Sequence, residues 1–201
     1  MYTEFNRITY ASSIPGVSYR IASPEDAPAL LNIYGPYVTN TAITFEYEVP
    51  SEAEFAARIS RTLERFPYLV VLIDNKICGY AYVSPFHARA AFSWCVELSI
   101  YLSFECHGMG IGRELYGIIE DIMRKQNILN LYACIACTET EDEHLTNAST
   151  HFHEHLGFKL CGHFKHCGYK FGKWYDMVWM EKTIGEHVTD TPPVIPFHET
   201  L

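Results

Sequence analysis

A glycine-rich turn between an apolar strand and an amphipathic helix is the segment of this sequence best suited to bind an anion. The turn is His107-Gly108-Met109-Gly110-Ile111-Gly112, and Arg113 follows it in the helix. Glycines let the backbone turn tightly and approach a ligand without interference from a Cβ atom. Unpaired N–H groups at a helix start, together with the positive end of the helix dipole, favour phosphate. The segment therefore predicts a phosphate-binding turn.

Two familiar phosphate-binding motifs do not fit this turn. A dinucleotide fingerprint needs a glycine three positions after Gly110, where the chain has Arg113. A P-loop needs Gly-Lys-Ser/Thr at the helix start, and Gly112-Arg113-Glu114 lacks that pattern. On the glycines alone, a strand–helix connection that binds no ligand stays an alternative.

A carboxylate lies in the middle of the strand that precedes the turn. Side chains alternate along a strand, so Glu97 lies on the face opposite Val96 and Leu98. A carboxylate at such a position is costly unless it is solvated, paired or functional. One function is that of a general base, which accepts a proton from a reacting group. A wet sheet edge or a paired cation is the alternative for Glu97.

Three alternating histidines, His151, His153 and His155, could transfer protons or bind a metal. Imidazole, with an ordinary pKa of ~6.5, serves as an acid or hydrogen-bond donor near neutral pH. Further candidate zinc ligands are Cys134, Cys137, Cys161, His163, His166 and Cys167. Structural zinc sites use paired ligand clusters at set spacing, which these residues lack. On a helix His153 points away from the other two histidines, and we expect no metal site.

The elements that must position these groups are strands and helices in mixed order. Helix-start signals occur at Ser23-Pro24 and Pro50-Ser51, and helical periodicity covers residues 111–123 and 146–156. The predicted strands are residues 17–22, 68–73, 77–83, 92–102, 129–137, 158–164 and 174–181, with a short extended piece at 43–47. This order predicts an α/β (α+β) domain, a mixed sheet with helices packed on it.

The composition is that of an ordinary globular chain with an acidic balance. The chain has 201 residues, of which 48% are hydrophobic and 19% charged, and this length suits one domain. Its formal net charge of −9 disfavours nucleic acid and anionic membranes as partners. Apolar runs fall short of the roughly 20 residues of a membrane helix, and a signal-peptide pattern is absent. Seven cysteines without a disulfide spacing suit a reducing compartment, so we expect the cytoplasm.

These motifs together resemble the GNAT superfamily of N-acetyltransferases, and more narrowly the phosphinothricin N-acetyltransferase-like family. The strand, glycine turn and helix resemble the superfamily's acetyl-CoA signature, Arg/Gln-x-x-Gly-x-Gly/Ala. Further matching segments are residues 43–46, 79–82, 85–91, 94–97, 156–158 and 170–179. The resemblance implies a GNAT-like fold, with a mixed, mostly antiparallel central sheet flanked by helices. It also implies acetyl-CoA as co-substrate, a small-molecule amine as acceptor, and a homodimer.

The resemblance implies roles for individual residues. Glu97 matches the general base, and His153 matches a position whose Tyr or His protonates the leaving CoA thiolate. The residues implied to contact acetyl-CoA are Ser99, Ile100, Tyr101, His107, Gly108, Met109, Gly110, Ile111, Gly112 and Arg113. In relatives an Asn contacts the CoA arm. The matching position in this chain is Thr146 or Asn147, and the sequence does not distinguish between the two.

The first position of the glycine signature departs from the family, which normally has Arg or Gln where this chain has His107. A histidine can still donate to a phosphate, and Gly108, Gly110 and Gly112 are all kept. The backbone N–H groups of the turn are therefore still expected to bind the phosphates.

Relatives in the family acetylate small amino-acid-like molecules such as phosphinothricin, methionine sulfoximine and methionine sulfone. The residues matching the acceptor side are Phe45, Glu46, Phe86, Arg89, Phe92 and Lys170. Arg89 could pair with a carboxylate or phosphinate, and a surface arginine without a ligand is the alternative. Phe171, Trp174 and Trp179 are expected in the core or in a subunit contact.

The predicted domain comprises residues 18–183, between an N-terminal extension (1–17) and a proline-bearing tail (184–201). The extension is expected to be weakly structured, and the tail to be disordered or to lie across a neighbouring subunit. Two other functions compete with small-molecule N-acetylation: a catalytically inactive acetyl-CoA sensor, and acetylation of a different amine, including a protein amine. Retention of both Glu97 and His153 favours an enzyme over a sensor.

Overall fold

A computed structural model describes residues 8–201, which form one eight-stranded sheet and four α-helices. The strands are β1 Thr9–Ala11, β2 Val17–Ile21, β3 Tyr68–Ile73, β4 Lys76–Pro85, β5 Cys95–Leu102, β6 Asn130–Cys137, β7 Lys159–Lys170 and β8 Lys173–Thr183. The helices are α1 Ala27–Asn40, α2 Glu52–Leu63, α3 Ile111–Lys125 and α4 Ala148–His155. No helix in this part of the chain is long and apolar enough to cross a membrane.

The strand order in the sheet is β1-β2-β3-β4-β5-β6-β8-β7. Within residues 8–201, only β5 and β6 run parallel, and every other neighbouring pair is antiparallel. The expected mixed, mostly antiparallel sheet flanked by helices is therefore confirmed. The parallel pair is joined through α3, the crossover connection that a parallel pair requires.

Local signals explain where the elements begin and turn. The Ser51 side chain caps α2 by accepting a hydrogen bond from the Glu54 backbone N–H at 3.2 Å. Asp74 and Asn75 adopt positive φ angles of 47° and 64° in the β3–β4 hairpin, a conformation that Asn and Asp tolerate. The apolar stripe of α3 buries Ile111, Leu115 and Ile122 against the sheet.

The N-terminal extension is more ordered than the sequence predicts. Residues 9–11 form β1, which pairs antiparallel with β2 from Thr9 opposite Arg20 to Ala11 opposite Ser18. Three residues are too few for a recognisable alternation, so the prediction of a weak extension is wrong for this segment. The rest of that prediction, residues 1–7, lies outside the described residues. Farther along, residues 43–47 form no strand, and a single 3₁₀ turn at Ala90–Phe92 precedes β5.

The C-terminal tail docks on its own domain, which corrects the expectation of a disordered or exchanged end. Phe197 is fully buried in the main hydrophobic core, and its backbone N–H donates to the Arg65 carbonyl at 3.1 Å. The buried Gln126 amide donates to the carbonyls of Arg65 and Ile195 at 2.9 and 2.8 Å. Trp94 Nε1 donates to the Pro192 carbonyl. Of the aromatic residues expected in the core, Phe171 and Trp174 are exposed in this chain.

Candidate active site

The centre of the sheet splits open between β5 and β6. These strands pair over only three positions, Cys95 with Asn130, Val96 with Leu131 and Glu97 with Tyr132. Beyond Glu97, β5 continues to pair with β4 and β6 with β8, while no strand of residues 8–201 lies between the facing edges of β5 and β6. Unpaired backbone groups on an open edge need another partner. An extended ligand can enter this fork and hydrogen-bond like a strand, and Ser99, Ile100 and Tyr101 lie on its edge.

Two cavities meet at the fork. One, of about 650 Å³, extends toward α2 and is called the α2-side cavity; Arg58, Glu97 and Tyr82 are among its lining residues. The other, of about 640 Å³, extends toward α3 and α4 and is called the α3-side cavity. Residues lining both are Ile43, Ser99, Tyr101, Cys134 and Ala136. The arrangement allows two molecules to approach the same point from opposite sides.

The glycine turn forms one end of the α3-side cavity. Gly108 and Gly110 have positive φ angles of 77° and 85°, which glycine adopts without steric cost. The N–H groups of Ile111 and Gly112 lie at the start of α3 and have no hydrogen-bond partner within residues 8–201. His107, Gly108, Gly110, Ile111, Gly112 and Arg113 all line the cavity, whereas Met109 is exposed and does not. Free N–H groups at the start of a 15-residue helix fit a pyrophosphate.

Glu97 lies at the fork itself, on the wall of the α2-side cavity. Its carboxylate has no hydrogen-bond or ion-pair partner in the part of the chain that the structure describes. Burial raises the pKa of Glu97 above its ordinary value. A carboxylate with a raised pKa is a better proton acceptor than an exposed one, and Glu97 is free to act as a base.

His153 is buried and held at both ring nitrogens. Nδ1 lies 2.7 Å from the Ser149 carbonyl, and Nε2 lies 3.0 Å from the Tyr116 hydroxyl. Because a carbonyl only accepts, Nδ1 carries the hydrogen of the neutral ring, and Nε2 accepts from Tyr116. Burial lowers the pKa of His153, although the Ser149 carbonyl opposes the shift. Both side chains line the α3-side cavity. Sequence analysis missed Tyr116, because its place on the buried face of α3 suggests only core packing.

Cys134 lies at the fork but is not poised as a nucleophile. Burial raises its pKa to about 12, and the nearby Glu97 carboxylate adds to the shift. The thiolate is the reactive form of cysteine. The side chain therefore stays a neutral thiol.

The structure distinguishes the two candidates that sequence left open on the loop before α4. Thr146 lines the α3-side cavity, and Asn147 does not. The Asn147 amide is engaged with Thr138, accepting from its N–H at 3.1 Å and donating to its carbonyl at 2.9 Å. Asn147 therefore closes the 138–147 loop and leaves Thr146 facing the cavity.

The residues expected on the acceptor side divide into two groups. Phe45 and Glu46 line the α2-side cavity, but Phe86, Arg89, Phe92 and Lys170 line neither cavity. Phe86 stacks on Tyr132, and Arg89 is exposed. Lys170 is buried and donates to the Thr44 carbonyl at 2.8 Å. The structure therefore does not bring these four residues to the cavity walls.

Charged groups that sequence analysis missed occupy the α2-side cavity. Arg58, Arg61 and Arg65 line it, and their spacing of three and four residues along the predicted second helix was the available signal. Arg58 donates to Glu46 at 2.9 Å and to Glu54 at 2.6 Å. Within residues 8–201, the second Glu46 oxygen is buried and has no hydrogen-bond partner. The aromatic residues that line this cavity are Tyr34, Phe45, Phe55, Phe66, Tyr68, Tyr80, Tyr82 and Tyr101.

No cluster of three or more His, Cys, Asp or Glu side chains within residues 8–201 is placed to hold a metal ion. His163 instead lies 2.8 Å from the Asp176 carboxylate, and all seven cysteines are free thiols.

Known proteins resemble this chain over most of its length. A family model described as an acetyltransferase (GNAT) domain matches residues 19–179. A phosphinothricin N-acetyltransferase of Streptomyces coelicolor is 32% identical over 172 residues, covering 84% of this chain and 96% of that protein. An L-methionine sulfoximine/L-methionine sulfone acetyltransferase of Salmonella typhimurium is 28% identical, covering 85% and 96%. The crystal structure of a phosphinothricin acetyltransferase from Sinorhizobium meliloti, in complex with AcCoA, matches with a TM-score of 0.79 and 32% identity, covering 90% and 98%.

Proposed function

The chain belongs to the GNAT acetyltransferase family, and from that premise we propose that it transfers the acetyl group of acetyl-CoA to the amine of a small amino-acid-like acceptor. The acceptors proposed are of the phosphinothricin, methionine sulfoximine or methionine sulfone type, after the names of its relatives. The observation that carries the proposal is the position of Glu97 at the fork where the two cavities meet.

The α3-side cavity is the proposed acetyl-CoA site. The free N–H groups of Ile111 and Gly112 hold the pyrophosphate, with the helix dipole of α3 behind them. The open β5 edge at 99–101 hydrogen-bonds the pantetheine arm and the acetyl carbonyl, where a backbone N–H stabilises the developing oxyanion. Thr146 contacts the arm from the opposite wall. Acetyl-CoA supplies the thioester that reacts at the fork.

Glu97 accepts the proton of the attacking amine, directly or through a water molecule. The amine approaches from the α2-side cavity, so the nucleophile and the leaving sulfur lie on opposite sides of the fork. The acetyl group passes straight to nitrogen, because the Cys134 thiol is too weakly acidic to form an acyl-enzyme.

Tyr116 and His153 form the proposed proton path to the sulfur. When His153 takes up a second proton, Nε2–H donates to the Tyr116 oxygen and frees the hydroxyl hydrogen. As the carbon–sulfur bond breaks, the sulfur takes the Tyr116 proton, and Tyr116 recovers one from His153. Burial makes the imidazolium a stronger acid, because it lowers the pKa of His153.

The α2-side cavity offers complementary charges for an amino-acid-like acceptor. The unpartnered Glu46 oxygen can accept from an ammonium group, and Arg61 and Arg65 can pair with a carboxylate or phosphinate. Aromatic rings enclose the carbon chain between them.

Gly168 lies directly beneath the Phe45 ring, which lines the α2-side cavity. Because glycine has no side chain, the ring can lie back and leave the cavity open. A Cβ atom there would fall 2.3 Å from ring atoms of Phe45, so Gly168→Ala must push the ring toward the cavity. We expect the KM of the best acceptor to rise about tenfold, from an overpacking cost of roughly 1–3 kcal/mol, with acetyl-CoA affinity unchanged. The matched control is Gly117→Ala on exposed α3 surface, where a Cβ meets nothing within 4 Å. An unchanged acceptor KM in Gly168→Ala would contradict the placement of the acceptor.

A thiol-release assay with acetyl-CoA and a panel of amino-acid analogues tests the proposed function. Turnover is expected with methionine sulfoximine, methionine sulfone or phosphinothricin. Tight acetyl-CoA binding without turnover on any amine would favour a sensor. Turnover only with amines outside the panel would favour the same chemistry on a different acceptor.

The outer edge of the sheet supports a homodimer. Strand β7 lies at this edge and exposes Leu160, Phe164 and Tyr169, beside the exposed Trp174 of β8. An exposed apolar edge strand is a surface for pairing with another chain. Sedimentation at twice the monomer mass is the expected result.

A further inference from the structure

His107 replaces the arginine or glutamine expected at the glycine turn, and its ring has a defined hydrogen-bond partner. Nε2 lies 3.0 Å from the Tyr37 hydroxyl, which itself lies 2.6 Å from the Leu102 carbonyl. Phe104 packs edge-on against the imidazole and tilted against the Tyr37 ring. The ring lines the α3-side cavity beside Gly108.

The partners of Tyr37 determine which nitrogen of His107 carries hydrogen. Burial raises the pKa of Tyr37 to about 12, so the hydroxyl keeps its hydrogen. That hydrogen goes to the Leu102 carbonyl, which can only accept. The Tyr37 oxygen must then accept from His107, and Nε2 carries the single hydrogen of the neutral ring.

Neutral His107 consequently presents a lone pair at Nδ1, which has no partner within residues 8–201. Phosphate oxygens are also acceptors, so a neutral His107 cannot hydrogen-bond them through Nδ1. A second proton at Nδ1 turns the ring into a cation with a free donor. Arginine or glutamine at this position would donate at any pH in the physiological range.

Resting on the proposed function, we propose that His107 binds the pyrophosphate of acetyl-CoA as an imidazolium and makes acetyl-CoA affinity depend on pH. The proton enters at Nδ1, while Nε2 stays bonded to Tyr37. Besides His107, the ionisable side chains that line the α3-side cavity are Tyr37, Tyr101, Cys106, Arg113, Tyr116, Cys134, Asp142, Glu143, His144, His153 and His155. The pyrophosphate adds two negative charges in the bound state, and these favour the imidazolium.

The sign of the effect follows from proton linkage. Pyrophosphate favours the protonated ring, so the proton is held more tightly in the complex than in the free protein. Acetyl-CoA therefore binds most tightly at low pH and loses affinity as the pH rises and the ring loses its proton. One opposite charge in contact shifts such an equilibrium by about tenfold.

Calorimetric titration of acetyl-CoA into the wild type and into His107→Arg, from about pH 5.5 to about pH 8.5, tests the proposal. The 3′-phosphate of CoA titrates near pH 6, and its contribution cancels in the ratio of the two affinities. We expect that ratio to change about tenfold across the range, with His107→Arg the tighter binder at high pH. Two buffers of different ionisation enthalpy should reveal proton uptake by the wild type that His107→Arg lacks.

Four other results overturn the proposal or its premise. A constant affinity ratio, or equal proton uptake by both proteins, would overturn the role of His107. Dephospho-CoA lacks the 3′-phosphate, and a pH-independent affinity of the wild type for dephospho-CoA would also overturn the role of His107. Failure of both proteins to bind acetyl-CoA at any pH would instead overturn the proposed function.

Discussion

Replacing Glu97 with glutamine is expected to lower the single-turnover rate of acetyl transfer by about 10²- to 10⁴-fold, the usual contribution of a general base. The amide keeps the shape of the side chain but cannot accept the amine proton. Acetyl-CoA affinity should not change, because Glu97 lines the α2-side cavity and not the α3-side cavity. Rapid-quench kinetics and calorimetry give the two quantities separately.

The pH profile sharpens this prediction. Burial raises the pKa of Glu97, so the wild-type rate should climb with pH through that raised value as the carboxylate loses its proton. The climb should be absent in Glu97→Gln. Glu48→Gln, at an exposed position outside both cavities, is the matched control and should behave as the wild type. An unchanged rate in Glu97→Gln would contradict its role as base.

Removing the Tyr116 hydroxyl is expected to slow the chemical step by about 10²-fold, a typical contribution of a positioned acid. Tyr116→Phe keeps the ring in the core and removes the group bonded to His153 Nε2. The acid acts on the leaving thiolate, which forms only during reaction, so turnover should fall while acetyl-CoA affinity stays within about twofold.

The two members of this pair should not act independently. His153→Asn is expected to reduce turnover to a similar extent, and the double variant should be no slower than the slower single one. Additive losses would show that the two side chains act separately. Tyr10→Phe removes the hydroxyl of a partly buried tyrosine on β1, outside both cavities, and is the control.

Most elements of the fold were predictable because local signals determine them. The Ser51 cap, the Asp74-Asn75 hairpin and the apolar stripe of α3 each lie within a short stretch of sequence. Strand β1 was missed, since three residues carry no periodicity. The docked tail was missed because Phe197 finds its place only through tertiary contacts with the core.

The residues that line the two cavities were predictable only in part, and their geometry was not predictable. Strand alternation places Glu97 on the correct face, yet only the three-residue pairing of β5 with β6 puts it at a fork. His153 was recognisable from the family resemblance, whereas the position of Tyr116 on the apolar face of its helix indicates only an aromatic residue of the core. The proposal of Thr146 rather than Asn147 as the contact rests on the hydrogen bonds of Asn147 to Thr138, nine positions away in the chain. The predicted family and fold class are confirmed, and the residue roles stay proposals.

Direct acetyl transfer across the fork is the central claim, and a single turnover with acetyl-labelled CoA tests it most directly. After mixing with a methionine sulfone-type acceptor, all transferred label should appear on the amine of the small molecule. The protein itself should carry no label at any time, because the Cys134 thiol does not ionise near neutral pH. Label that accumulates on Cys134 before reaching the amine, or that never leaves CoA although CoA is bound, would contradict the account.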